Sequence, residues 1–176
     1  AWRSVSSGGL IVTSVRTPNK HSIIFVEKNG LRHGEFELKN IQNELFVIEE
    51  ISCSPDSDVL LIRGNVFKDE QLLRQELRFF TQSNYYWYQK QTVPVLAGEN
   101  NENIIENLLW NQAKNYEIFG LTKGGTAFRR EYRKKILINN DNMIFVIDFD
   151  TVNISLFEQT LIPPPLCNYS IQLTDN

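Results

Sequence analysis

Five basic residues fall within seven positions in Arg129-Arg130-Glu131-Tyr132-Arg133-Lys134-Lys135, with a tyrosine among them. Cations at that density neutralise phosphates, and a tyrosine between them offers a ring on which a base can stack. Arg129, Arg130, Arg133, Lys134 and Lys135 are therefore the candidate RNA-contacting residues, with Tyr132 the candidate stacking ring. The competing reading is a solvated outer strand whose charges discourage edge-to-edge pairing. A second run, Tyr85-Tyr86-Trp87-Tyr88, has the makings of an aromatic binding surface. In a strand, however, alternate members point inward, which gives half of that run to the core.

No other residues assemble into a site. Gly8-Gly9 and Gly124-Gly125 are isolated turn pairs rather than a loop that cradles phosphate. The only histidines, His21 and His33, form no metal-ligand spacing with cysteine or carboxylate. His33, in Leu31-Arg32-His33-Gly34, reads as a hydrogen-bonded histidine at a strand start. Asp56, Asp58, Asp148 and Asp150 sit where strands turn, and there carboxylates accept backbone N–H bonds. The sequence thus predicts no enzyme, no metal and no cofactor.

These residues must be carried by strands, because the chain is dominated by short apolar or alternating runs. Ser22–Glu27 and Leu31–Leu38 flank Lys28-Asn29-Gly30, and Asn-Gly between two such runs is a strong hairpin signal with both residues at positive φ. Glu76–Phe80 pairs with Tyr86–Gln91 across Gln82-Ser83-Asn84, and Lys123-Gly124-Gly125 turns into Thr126–Tyr132. Met143–Ile147 turns at Asp148-Phe149-Asp150, runs through Val152 to Phe157 and returns through Leu166–Leu173. Phe67–Gln75, containing Lys68–Arg74, has enough helix formers for a helical turn or two and reads as a surface insertion. Pro163-Pro164-Pro165 excludes a central strand there and reads as a rigid connector.

The runs repeat. A short apolar strand ending in Trp2, Cys53 or Trp110 gives way to a polar turn and a second apolar strand, at spacings of 51 and 57 residues. Blades of β-propellers recur at ~40–45 residues, and loop insertions lengthen them. The expected fold is all-β, part of a WD40-type β-propeller with three to four blades of four-stranded antiparallel sheet. A single propeller region spans 1–176, with blades near 1–46, 47–100, 101–140 and 141–176. Trp2, Phe25, Cys53, Trp87, Trp110 and Phe145 are the expected blade-core residues, with Gly30, Gly34 and Gly125 permitting turns. An arc of blades leaves apolar faces and edges open, so the isolated chain is expected to self-associate.

Composition agrees with a folded chain: 41% of the 176 residues are hydrophobic and 11% aromatic. A net charge of -3 is mild and argues neither for bulk binding to nucleic acid nor for an acidic tail. Two distant cysteines, Cys53 and Cys167, lack redox spacing and suit a reducing, intracellular compartment. No apolar run approaches the ~20 residues of a membrane span, so no membrane partner is expected. The start at Ala1-Trp2, in the middle of a strand pattern, reads as a segment of a longer protein without a signal peptide.

Four phrases carry a resemblance. Phe25-Val26-Glu27-Lys28-Asn29-Gly30-Leu31-Arg32-His33-Gly34-Glu35-Phe36 resembles a signature stretch of the family formed by the largest subunit of the Elongator complex. Ser54-Pro55-Asp56-Ser57-Asp58-Val59-Leu60, Asn84–Gln91 and Phe157–Tyr169 are similar to further phrases of that family, in the same order. Cys53 departs from it, standing where the family tends to carry Trp. The match is poor between Asn111 and Arg133, so the basic run is no family signature.

The resemblance implies a large intracellular scaffold with two amino-terminal propellers, this chain being part of the first. It implies a complex that modifies carbon 5 of wobble uridines in tRNA, with the chemistry on a different, radical-SAM and acetyltransferase subunit. The partners implied are that catalytic subunit and a second propeller subunit, in the cytoplasm, with the nucleus as the alternative. Two rivals stand beside the scaffold: a tRNA-contacting module acting through the basic strand, and a signalling or transcription-elongation scaffold.

Overall fold

Strands alone make up the regular structure among the described residues, and they form four antiparallel sheets. The structure is a computed structural model that describes residues 2–5, 8–17, 20–39, 43–132, 142–159 and 166–173. The first sheet is a four-strand meander of β1 (Trp2–Val5), β2 (Gly8–Arg16), β3 (His21–Val26) and β4 (Arg32–Glu37). The second repeats it with β5 (Leu45–Cys53), β6 (Val59–Lys68), β7 (Gln71–Ser83) and β8 (Tyr86–Leu96). The remaining two are three-stranded: β9 (Ile105–Trp110), β10 (Glu117–Thr122) and β11 (Ala127–Glu131), then β12 (Met143–Asp148), β13 (Thr151–Leu156) and β14 (Tyr169–Gln172). Consecutive up-and-down sheets packed face to face are the blades of a β-propeller.

β6 explains why the stack forms. Its segment Val59-Leu60-Leu61-Ile62 is apolar on both faces, unlike a half-solvated strand, which alternates. Leu60 and Ile62 enter one core with Leu10, Val12, Ile23 and Phe25 of the first sheet. Val59 and Leu61 enter a second core with Ile105, Leu108, Ile118 and Tyr132. The second blade is thus filled on both sides. Burying a side chain of that size contributes about 1.5–3 kcal/mol, so one strand supplies both joints.

The expected blade-core residues divide. Phe25 is buried and stacks on Trp87 at 5.1 Å, while Cys53 packs at the margin of the same core. Trp110 packs against the second core. Phe145 corrects the expectation: it is 42% exposed, because β12 turns it outward with Ile147. The Trp2 side chain and Pro163, Pro164 and Pro165 lie outside the described residues.

The turns bring further corrections. Lys68–Arg74 is no helix: Lys68 pairs with Gln71 and Val66 with Arg74 across a hairpin, the cross-strand ladder overriding helix propensity. Its tip residues Asp69 and Glu70 are both left-handed (φ 49° and 66°). The next hairpin turns on Asn84 and Tyr85 (φ 48° and 65°), one position later than the sequence suggests. At Asn29-Gly30 only Gly30 has positive φ (88°), and its N–H donates to Glu27 O, so a type I turn precedes a left-handed glycine. Gly34 lies within β4 opposite Phe25 rather than at a turn. Gly125 does occupy its turn, with φ 81°.

Candidate interaction surface

Two joints hold the second blade to its neighbours, and polar groups set both. At the first, Glu76 is buried and receives Arg78 Nε at 2.8 Å and Arg74 Nε at 2.7 Å. Arg74 also pairs with Glu44 at 2.6 Å, which holds that carboxyl below its ordinary range. Arg78 lies 3.8 Å over the Phe46 ring and donates to Lys39 O at 2.9 Å, and burial pulls its pKa down. A buried charge is tolerated when paired in this way. Beside this network His21, 7% exposed, hydrogen-bonds the Phe46 backbone; burial and then Arg16 hold its pKa below the ordinary value.

The second joint grips the backbone of a single residue, Ile105, by both its N–H and its carbonyl. Gln75, fully buried, accepts Ile105 N–H at 2.9 Å and donates to Ile105 O at 3.2 Å. Arg63 donates to the same carbonyl at 2.7 Å and is held by Glu49 and Glu50 at 3.1 and 3.0 Å. Trp110 Nε1 donates to Ser52 Oγ at 3.1 Å, and Tyr116 OH donates to Asp58 Oδ2 at 3.2 Å. The fourth sheet attaches elsewhere, to β8. Asp148 accepts Gln89 N–H at 3.0 Å and Lys39 Nζ at 2.9 Å, and Phe149 N–H donates to Gln89 O at 2.8 Å. Lys90 Nζ donates to Ile147 O at 2.7 Å, and burial pushes its pKa down to about 8.

The basic strand is less available than its sequence suggests. Arg129 and Arg130 lie on β11, at the edge of the third sheet. Arg129 Nε donates to Glu117 Oε2 at 2.5 Å, and a hydrogen bond from Asn111, then Arg129, lowers the pKa of that carboxyl. Arg130 is exposed, 5.8 Å from the Phe128 ring centroid. Tyr132 corrects the stacking expectation: it is buried in the second core, stacked on Phe79 at 5.2 Å. Arg133, Lys134 and Lys135 lie outside the described residues.

The other candidates are turn residues. Asp56 accepts Ser54 Oγ at 2.5 Å and Asp58 N–H at 3.2 Å, as a turn carboxylate does. His33 Nδ1 lies 3.5 Å from Glu27 Oε1. Among the described residues no three His, Cys, Asp or Glu side chains are grouped to hold a metal ion, and no helix is long and apolar enough to cross a membrane.

Residues 1–113 match the sequence model of a family described as the ELP1 first N-terminal beta-propeller. The chain belongs to that family. The elongator complex protein 1 of Xenopus laevis is 35% identical over 99% of this chain, and that of Mus musculus 31% over 97%. The protein of the same name from Schizosaccharomyces pombe is 27% identical over 100% of the chain. The chain spans 15%, 13% and 13% of the length of these relatives. This ELP1-type propeller segment is therefore a set of blades joined by buried polar and apolar contacts. What it offers outward are hairpin tips, edge strands and sheet faces.

Sequence reasoning missed the Gln75–Ile105 grip and the Asp148 attachment. A buried glutamine within Arg74-Gln75-Glu76 gives no periodic signal, and Asp148 reads as an ordinary turn carboxylate. Neither partner is close in sequence.

Proposed function

We propose that this chain is a non-catalytic scaffold segment of the Elongator complex, supporting the assembly that modifies carbon 5 of wobble uridines in tRNA. The observation that carries the reading is the family match over residues 1–113, together with relatives that bear the name elongator complex protein 1 along nearly the whole chain. Rigid joints suit a positional role. A platform whose blades are locked by buried ion pairs and by the gripped backbone of Ile105 presents its tips at fixed separations. The partners on this reading are the catalytic radical-SAM and acetyltransferase subunit and the second propeller subunit, in the cytoplasm.

The test is co-purification from cells that express the full-length protein with or without this segment. Loss of the other subunits on deletion is the expected result. A complete complex without the segment overturns the reading. The RNA-contacting alternative draws on exposed Arg130 at an edge strand. It requires tRNA affinity that falls steeply with salt and weakens when the basic residues are neutralised. The ion pair to Glu117 and the burial of Tyr132 both weigh against it.

A further inference from the structure

The second blade outruns the third. Its strands β5, β6 and β7 run for 9, 10 and 13 residues, against 6, 6 and 5 for β9, β10 and β11. Gln75, which grips Ile105 at the start of β9, lies in register with Asn65 and Val47. Past that row β6 and β7 continue through the Phe67–Leu72 pair to the tip at Asp69-Glu70. Leu45 opposes Phe67, so Leu45, Val47 and Phe67 project from the face that Gln75 turns toward the third sheet. Phe46, between Leu45 and Val47, projects the other way into the first core. The overhang encloses a cleft of about 530 Å³, with Leu45, Val47 and Phe67 as its apolar floor and Glu44, Asp69 and Glu70 at its rim.

Floor and rim together select what the cleft can hold. The floor favours an apolar side chain, since Leu45 is 42% exposed and gains by leaving water. The rim is anionic. Glu44 is balanced by Arg74, whereas Asp69 and Glu70 stand exposed at the tip. Among the described residues no lysine or arginine lines the cleft. Lys68 follows Phe67 in its strand and so projects from the opposite face, as does Arg74 across from Val66. Arg16 lies on that opposite side too, beside His21 and Phe46. The chain leading into Ile105 carries Glu99 and Glu102, and the Lys123 N–H joins it at Ile104 O, so carboxylates still outnumber cations there. Such a rim repels a phosphate or an acidic peptide, and it complements a guanidinium or ammonium.

We propose that this cleft docks a short basic segment of another subunit, whose apolar side chain covers Leu45, Val47 and Phe67 while an adjacent arginine or lysine pairs with Asp69 and Glu70. This deepens the assembly role above and rests on it. The apolar floor supplies the contact, and the carboxylates decide which segment is accepted.

The test uses the full-length protein in its purified complex, with the photo-cross-linking residue p-benzoylphenylalanine in place of Leu45. The control carries it in place of Leu31, which is 61% exposed. The expected result is an adduct with one peptide of another subunit, with an arginine or lysine beside the linked position, in a yield above that at Leu31. Asp69→Lys together with Glu70→Lys lowers that yield about tenfold, and changing the cation of the linked peptide to glutamate restores it. Restoration separates a lost charge pair from a misfolded tip. A nuclease-sensitive adduct, a linked peptide from the same chain or without a cation beside the link, or a yield no greater than at Leu31 each overturns the proposal. So does a yield that survives the first reversal or fails to return with the second. Failure of the assembly reading is told apart because it shows as an intact complex after deletion of the whole segment.

Discussion

Gln75 holds Ile105 as a neighbouring strand would, donating to its carbonyl and accepting its N–H. Replacing it with leucine keeps the volume but leaves the Ile105 N–H buried without its acceptor. Gln75→Leu is expected to cost about 2 kcal/mol in urea unfolding and to speed amide exchange at Ile105. An unchanged midpoint contradicts the grip. His21 makes a pH-dependent contribution of definite sign. Its folded pKa lies below 6.5, so the unfolded chain takes the proton first, and stability present above pH 6.5 is lost as pH falls through the folded value. Urea midpoints from pH 7.5 to 5 should therefore fall further for wild type than for His21→Gln; parallel profiles rule out His21 as the cause. Of the basic run, the sequence displays the charge but not the ion pair that Arg129 makes. Glu117 lies twelve positions before Arg129 and reaches it only through the register that sets Phe119 against Arg129.

At the scale of strands and turns, two glycines separate rigid from yielding contacts. A Cβ at Gly64 would lie 2.5 Å from both the Val47 carbonyl oxygen and the Phe46 ring, whereas at Gly120 its nearest neighbours would be atoms of the Phe128 ring, at 2.2 Å. The Val47 oxygen is fixed by the β5–β6 pairing, while Phe128 is half-buried and can rotate. Gly64→Ala is therefore expected to destabilise by about 2–4 kcal/mol and Gly120→Ala by about half as much in thermal unfolding. The reverse order contradicts this account. Strands with apolar runs, such as β3 and β6, were plain in the sequence because burial sets their composition. The segment Lys68–Arg74 was not, since its residues favour a helix and only pairing with β6 makes it a strand. The turn at Asp69-Glu70 gives no glycine to announce it.

At the scale of the molecule, the repeat of strand, turn and strand announced a propeller, and the family match agrees with it. The placement of the fourth sheet against β8 was hidden, because it depends on Asp148 and Lys39, 109 residues apart. Ile11 and Val15 on β2 and Leu109 and Phe119 on the third sheet are exposed, and open apolar faces of this kind favour association. Light scattering of the isolated chain is expected to report self-association with rising concentration, and a strictly monomeric chain contradicts it.

The central claim, that this segment assembles a tRNA-modifying complex and does not itself handle the RNA, is tested most directly by mass spectrometry of wobble uridines. Cells depleted of the parent protein would receive the full-length wild type, a form with Arg129, Arg130, Arg133, Lys134 and Lys135 neutralised, or a form lacking the segment. The account predicts that the neutralised form restores the modification and the deleted form does not. Restoration by the deleted form contradicts it, as does failure of the neutralised form in cells where the complex still assembles.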